Sequence, residues 1–376
     1  LHLKNDLIET ATFKQLTELL EPSDLLVFNN AKVIQARLGF NKETGAGIEI
    51  FCLEPRQPSD YNLAFQANER CEWKCLVGNL KKWKDGKLYK NIEINGVSYR
   101  LEAERTGSEG NAVIIEFKWQ CVDKKHDGTL LSFGEILENT GTTPLPPYLN
   151  RKAEIEDKTR YQTIYAKNKG SVAAPTAGLH FTENVFKSLR EKGIDTQNIT
   201  LHVSAGTFRP VKSETIEGHE MHEEHFEIEK SCLENLINHK GRFIAVGTTS
   251  VRTLESLYWM GVKLIKKMKV PFKVSQWEVY EQTSEIKLSE ALMELKLYMD
   301  SNHLTVLQAT TQIIIVPGYN FKVISGLVTN FHQPQSTLLL LIAAVIGDKW
   351  KDVYHYALTN NYRFLSYGDS SLFLTN

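Results

Sequence analysis

Hydrophobic positions recur along this chain in two rhythms, and the rhythm changes near Pro55 and again near Leu145. Phe13, Leu16, Leu19 and Leu20 fall near helical spacing and predict a short helix over 12–20, followed by an apolar strand over 25–28. Gly45-Ala46-Gly47 then separates two extended runs, 33–40 and 48–53. From 55 to 145 the segments are short and alternating (90–94, 99–103, 112–117) and are divided by Gly, Asp and Asn turn signals. That spacing predicts a small antiparallel barrel inserted into a larger domain.

After Tyr161 helical and extended patterns alternate. Thr182 is placed to cap a helix through Val185, Phe186 and Leu189 that stops at Gly193, and 198–203 predicts a strand. A strand over 242–247 runs straight into a helix carrying Val251, Leu254, Leu257 and Tyr258, expected to end before Gly261. A helix over 289–299, strands over 304–309, 313–316 and 322–328, and two last helices over 336–346 and 350–358 complete the pattern. The fold class is α/β with a β insertion.

Composition narrows the classes of function. A chain of 376 residues, 42% hydrophobic and 24% charged, can bury two domain cores without metal or disulfide staples. Its five cysteines, Cys52, Cys71, Cys75, Cys121 and Cys232, form no CxxC pair, so neither a disulfide framework nor a zinc ribbon is expected, and a reducing cytosol fits. The longest apolar run, 338–346, is far shorter than the roughly 20 residues of a membrane helix. Lys4, Asp6 and Glu9 stand where a signal peptide would be apolar, so a cytoplasmic protein is expected. The chain opens on Leu1 and not Met, which leaves open that upstream residues have been processed or cloned away. With 44 Lys and Arg against 45 Asp and Glu, the formal charge of −1 excludes indiscriminate coating of nucleic acid but not a local basic face. Lys81-Lys82-Trp83-Lys84 and the group Lys263, Lys266, Lys267 and Lys269 are candidates for such a face, or else solvated charges on turns and helices.

Polar segments marked by Gly and Pro follow several predicted strands, where α/β folds place ligands. Asn29, Asn30, Lys32 and Arg37 can donate to ribose or phosphate, or can form an ordinary Asn turn. Pro175 and Thr176 lie among small residues that let backbone N–H groups approach a ligand, and His180 precedes a helix start; a tight loop beneath that helix is the alternative. Gly206, Thr207 and Arg209 follow the strand over 198–203. His219, Met221, His222, Glu223 and His225 come next; their spacing is HxxH and not HExxH, so an acid/base pair or a sulfonium-facing site is expected and a metal is not. Thr248 and Thr249 open a helix in which Arg252 and Glu255 are either ligand groups or a plain intrahelical pair. Asn330, Phe331, His332, Arg363, Tyr367 and Asp369 close the chain with rings beside polar tips, suited to a base or a sulfonium, or to the core.

These segments, in this order, also resemble a known family. DLLVFNNAKVIQARL (24–38), TPLPPYLNR (143–151), RYQTIYA (160–166), GSVAAPTAGLHFT (170–182), LHVSAGTFRPV (201–211), HEMHEE (219–224), AVGTTSVRTLES (245–256), VTNFHQPQSTLLLL (328–341) and YRFLSYGDSSL (362–372) are similar to the successive signatures of the S-adenosylmethionine:tRNA ribosyltransferase-isomerases. The resemblance implies a large, barrel-like α/β domain (1–54 and 146–376) and an inserted β-barrel (55–145). It implies S-adenosylmethionine as a ribosyl donor, with no further cofactor and no metal. The implied acceptor is 7-aminomethyl-7-deazaguanine at the wobble position of a tRNA, and the products are epoxyqueuosine-tRNA, adenine and methionine.

Such chemistry needs a base for a C5′ proton, an acid for the departing adenine and a neutral acceptor amine. His180, His222 and His332 are the acid or base candidates, with Glu223, Glu255 and Asp369 as orienters or sulfonium neighbours. A monomer or weak dimer is expected. Several places depart from the family pattern: the usual segment upstream of Thr12 is missing or divergent, Asn30 stands where an acidic residue is usual, Val-Gly-Asn-Leu-Lys (77–81) replaces a Pro-and-Lys-containing stretch, His332-Gln-Pro-Gln replaces His-Leu-Pro-Lys, and Ser325 and Ser370-Ser371 also differ.

Overall fold

The computed structural model describes residues 1–4, 7–123, 130–204 and 215–375. The chain divides into two compact units, one comprising 1–31, 162–168 and 174–376 and the other 32–161 and 169–173.

The larger unit is mixed α/β, as the alternation predicts. Its ten-stranded sheet runs, from edge to edge, Lys273–Val274, Val306–Thr311, Glu224–Glu229, Asp195–His202, Leu25–Asn29, Phe243–Val246, Gly326–Asn330, Ser370–Leu374, His2–Lys4 and Leu7–Glu9. The four strands Asp195–His202, Leu25–Asn29, Phe243–Val246 and Gly326–Asn330 are mutually parallel, with Leu25 opposite both Asp195 and Phe243. Leu25–Asn29 is buried at every position, which explains its unbroken apolar run: a central parallel strand has no solvent face. One side of the sheet packs Leu26, Phe28, Ile244, Val246 and Val328 against Phe181, Val185 and Leu189. Helix Glu183–Glu191, which supplies the last two, starts at Thr182, whose hydroxyl accepts from the Val185 N–H.

Helix Thr248–Ile265 is buried on nearly all sides, polar residues included. It passes through Gly261, where the sequence pattern predicts its end. Helix Leu288–Ser301 presses on it there, and a Cβ at Gly261 would lie 2.1 Å from the Ala291 carbonyl oxygen. The predicted strand 313–316 is instead a buried loop, because its backbone is held by side chains. Ile313 N–H donates to Thr311 Oγ1 (3.1 Å), Ile313 C=O accepts from Arg252 Nε (3.1 Å), and Val316 N–H donates to Tyr280 Oη (3.0 Å). The strand expected over 322–328 begins only at Gly326, since Glu255 captures the N–H groups of Lys322, Val323 and Ile324.

The smaller unit is a nearly closed antiparallel barrel of six strands in the order Arg37–Asn41, Gly47–Gln57, Arg70–Gly78, Ala112–Cys121, Val97–Glu109 and Leu88–Ile94. Trp73, Phe117 and Trp119 gather around Phe133 at ring separations of 5.1–5.6 Å. Phe133 opens helix Phe133–Thr140, fixed by a reciprocal Ser132–Glu135 capping box. All five cysteines are free thiols. Among the described residues, no helix is long and apolar enough to cross a membrane.

Candidate active site

The carboxyl ends of the four parallel strands bring Asn29, His202, Gly247 and Asn330 to one edge of the sheet, the edge at which open α/β sheets bind ligands. Not every polar residue there is available. Asn29 is fully buried and cross-links two strands: Nδ2 donates to Leu201 C=O (3.0 Å), and Oδ1 accepts from the N–H groups of Ala31 and Leu201 (3.1 and 3.0 Å). Asn30 Oδ1 accepts from Thr200 Oγ1 at 2.7 Å.

Asn330, at the end of its strand, connects two of the predicted residues. Its Oδ1 accepts from Thr176 Oγ1 (3.3 Å), and its Nδ2 donates to His180 Nε2 (3.1 Å). An Nε2 that accepts leaves the proton of a neutral imidazole on Nδ1. Neutrality is favoured because burial lowers the His180 pKa, an effect opposed by Asp369 and reinforced by Arg363. The ring stacks on Phe13 at 5.1 Å. It faces a cleft of about 410 Å³ that is also bordered by Tyr362, Arg363 and Asp369. Asp369 accepts from the Arg363 N–H (2.7 Å) and from Arg363 Nη2 (3.4 Å), so the two form a clamp on one turn. Pro175 is buried, and its carbonyl accepts from the Gly178 N–H to close the turn beneath His180.

A second cluster lies at the helix following Gly247. Arg252 is buried and pairs with Glu224, a buried carboxylate at the end of the HEMHEE segment. With Met221 and His222 the pair borders a small cavity of about 50 Å³. Thr248 is buried in the first turn, and the Thr249 hydroxyl, also buried, has no hydrogen-bond partner among the described residues. Met221 is held through its backbone, N–H to Gln276 Oε1 (2.9 Å) and C=O from Gln312 Nε2 (3.2 Å).

Other predicted residues lie elsewhere. Glu255 is fully buried and accepts from Tyr319 Oη, at 2.9 Å, besides three backbone N–H groups; burial raises its pKa against the pull of these donors. It makes no ion pair with Arg252. Phe331 is core, within 5.2–5.6 Å of Tyr354, Tyr362 and Phe364. His332 is buried and borders neither cavity; its Nε2 is 3.0 Å from Thr329 Oγ1, and desolvation pushes its pKa down to about 4. Glu223 pairs with Lys273. Tyr367 is exposed. Lys32 and Arg37 belong to the barrel unit, where Arg37 pairs with Glu49 at 2.5 Å and covers the Phe51 ring. Lys263 leaves the proposed surface cluster, being buried against Glu278 at 2.6 Å. Gly206, Thr207 and Arg209 lie outside the described residues. Among the described residues no three His, Cys, Asp or Glu side chains are grouped to hold a metal ion.

A family model described as queuosine biosynthesis protein matches residues 1–373. The chain belongs to that family. A curated relative from Halothermothrix orenii, named S-adenosylmethionine:tRNA ribosyltransferase-isomerase, is 38% identical over 379 residues, covering 100% of this chain and 91% of the relative. A protein of the same name from Thermotoga maritima is 37% identical over 384 residues with the same coverage. The crystal structure of the Thermotoga maritima S-adenosylmethionine tRNA ribosyltransferase matches at 28% identity with a TM-score of 0.43, covering 100% of this chain and 90% of that one.

In this queuosine-family chain the signature segments divide by physical role. GSVAAPTAGLHFT and VTNFH meet through Thr176, Asn330 and His180, whereas HEMHEE and AVGTTSVRTLES meet through Glu224 and Arg252. Glu224 does carry a signal in the sequence: it ends an acidic pair but opens the alternating segment Glu224–Glu229, so Glu224, Phe226 and Ile228 share the buried face.

Proposed function

We propose that this protein is an S-adenosylmethionine:tRNA ribosyltransferase-isomerase. It transfers and isomerises the ribosyl group of S-adenosylmethionine onto 7-aminomethyl-7-deazaguanine at a tRNA wobble position, releasing adenine and methionine. The observation that carries this reading is identity of 36–38% along the whole chain to enzymes of that name. Family membership alone would leave the chemistry open, and the two polar clusters at the strand ends add groups suited to it. A cytoplasmic location follows from a tRNA substrate.

Within this reading, the residues sort by what their surroundings allow. His180 is held neutral with its proton on Nδ1, so it serves as a neutral hydrogen-bond donor toward departing adenine, and Asn330 with Thr176 keeps it in that tautomer. Asp369 sets a negative charge near His180 and is the candidate neighbour of the sulfonium. The base that takes the C5′ proton is sought first at His222, which is exposed and borders the second cavity. His332 and Glu255 shape the scaffold behind the site, given their burial and their bonds to the fold.

The test is direct. Purified protein is incubated with S-adenosylmethionine and a tRNA carrying 7-aminomethyl-7-deazaguanine, and adenine and nucleosides are quantified by mass spectrometry. Adenine and epoxyqueuosine formed in equal amounts are expected. Binding of the sulfonium with an unchanged nucleoside would overturn the acceptor assignment.

A further inference from the structure

Arg252 has an unfinished set of hydrogen bonds. Its Nε donates to Ile313 C=O at 3.1 Å and its Nη1 to Glu224, yet Nη2 has no partner among the described residues although the residue is only 9% exposed. A buried guanidinium N–H without an acceptor is costly, and native structures rarely leave one unless an acceptor arrives from outside. The side chain borders the cavity of about 50 Å³, whose remaining walls combine Ile313, Leu338 and Leu341 with the polar side chains of His219, His222 and Thr337.

A carboxylate matches the edge of a guanidinium better than any neutral acceptor. A phosphate dianion would fit the charge of Arg252 but would be repelled by the Glu224 carboxylate beside it. A ligand that brings an ammonium together with a carboxylate satisfies both side chains, and an α-amino acid carries the two on one carbon. The cavity is too small for a nucleoside, and the apolar part of its wall, Ile313, Leu338 and Leu341, suits a short methylene chain.

We infer that Arg252 and Glu224 bind the zwitterionic amino-acid end of the substrate, Arg252 taking the carboxylate and Glu224 the ammonium. This rests on S-adenosylmethionine being the donor, whose methionyl arm has that chemistry.

Titration calorimetry on the whole chain tests this with S-adenosylmethionine and its decarboxylated analogue, which keeps the sulfonium and adenosine but lacks the carboxylate. The unmutated protein is expected to bind the analogue about tenfold more weakly or worse. Arg252→Gln should bring the two affinities within about twofold of one another, and Glu224→Gln should weaken S-adenosylmethionine while sparing a des-amino analogue. Equal binding of both ligands by the unmutated protein overturns the inference without any variant having to fold. Discrimination without epoxyqueuosine formation would uphold this amino-acid reader and refute the proposed reaction. Failure to bind S-adenosylmethionine at all overturns both.

Discussion

Glu255 accepts four hydrogen bonds at 2.9–3.1 Å and ties 319–324 to its helix. Glu255→Gln replaces an acceptor oxygen with an N–H donor that faces backbone N–H groups, so stability should fall by on the order of 3 kcal/mol. Urea unfolding would register this as a lower midpoint; unchanged stability with lost turnover would instead make Glu255 a reacting group. Asn330 predicts the opposite signature. Asn330→Leu removes the donor on His180 Nε2, so kcat for adenine release should drop about 10- to 100-fold while the KM for S-adenosylmethionine changes little. A rise confined to KM would reassign it to binding. His332 contributes a pH dependence of its own. Its pKa is near 6.5 when unfolded and about 4 when folded, so the stability from burying the neutral ring is complete above pH 6.5 and is lost as pH falls toward 4. The loss is on the order of 3 kcal/mol. Tm should therefore fall between pH 7 and pH 4.5, with a smaller fall in His332→Asn.

Gly261 shows where helix pattern and helix packing part company. Ala is the better helix former by about 1 kcal/mol, yet Gly261→Ala should destabilise the protein by about 1–3 kcal/mol because Ala291 leaves no room for a Cβ. A raised urea midpoint would contradict the close helix crossing. The same distinction explains what the sequence reveals in advance. Elements whose pattern answers to their own burial are legible in it: the apolar strand Leu25–Asn29, the Thr182-capped helix and the alternating barrel strands. The loop at 313–316 and the late start of Gly326–Asn330 are not, since distant side chains claim their backbone groups. Strand Ser370–Leu374 is short and gains its place from its neighbours Gly326–Asn330 and His2–Lys4. For the candidate site, residue types and segments are legible, but partners are not. Arg252 and Glu255, three residues apart, suggest each other in the sequence; the structure gives the first to Glu224 and the second to a backbone loop.

At the scale of the whole molecule a near-zero net charge has to serve a polyanionic substrate, so tRNA affinity must come from where cations are placed and not from their number. In the barrel unit Lys81, Lys82 and Lys84 are exposed on one turn. Lys42 Nζ donates to Lys82 C=O (3.1 Å), and Arg105 Nη1 donates to Lys84 C=O (3.1 Å), so two further cations join that turn. Buried Trp83 anchors it through Nε1 to Gly86 C=O at 2.9 Å, which keeps the lysines on a rigid base. Each phosphate neutralised releases counterions, and log affinity then falls against log salt with a slope of about −0.7 to −0.9 per phosphate. Lys81→Glu, Lys82→Glu and Lys84→Glu together should therefore weaken tRNA binding and flatten its salt dependence by about one unit of slope for each phosphate left unneutralised. The affinity for S-adenosylmethionine should stay unchanged. Lys266, Lys267 and Lys269, exposed after helix Thr248–Ile265, are the competing cluster, and reversing them should leave the slope in place when the barrel turn holds the phosphates. Filter binding over a salt series separates the two triplets, and a slope that responds only to the second would move the tRNA-binding face from the barrel to the α/β unit.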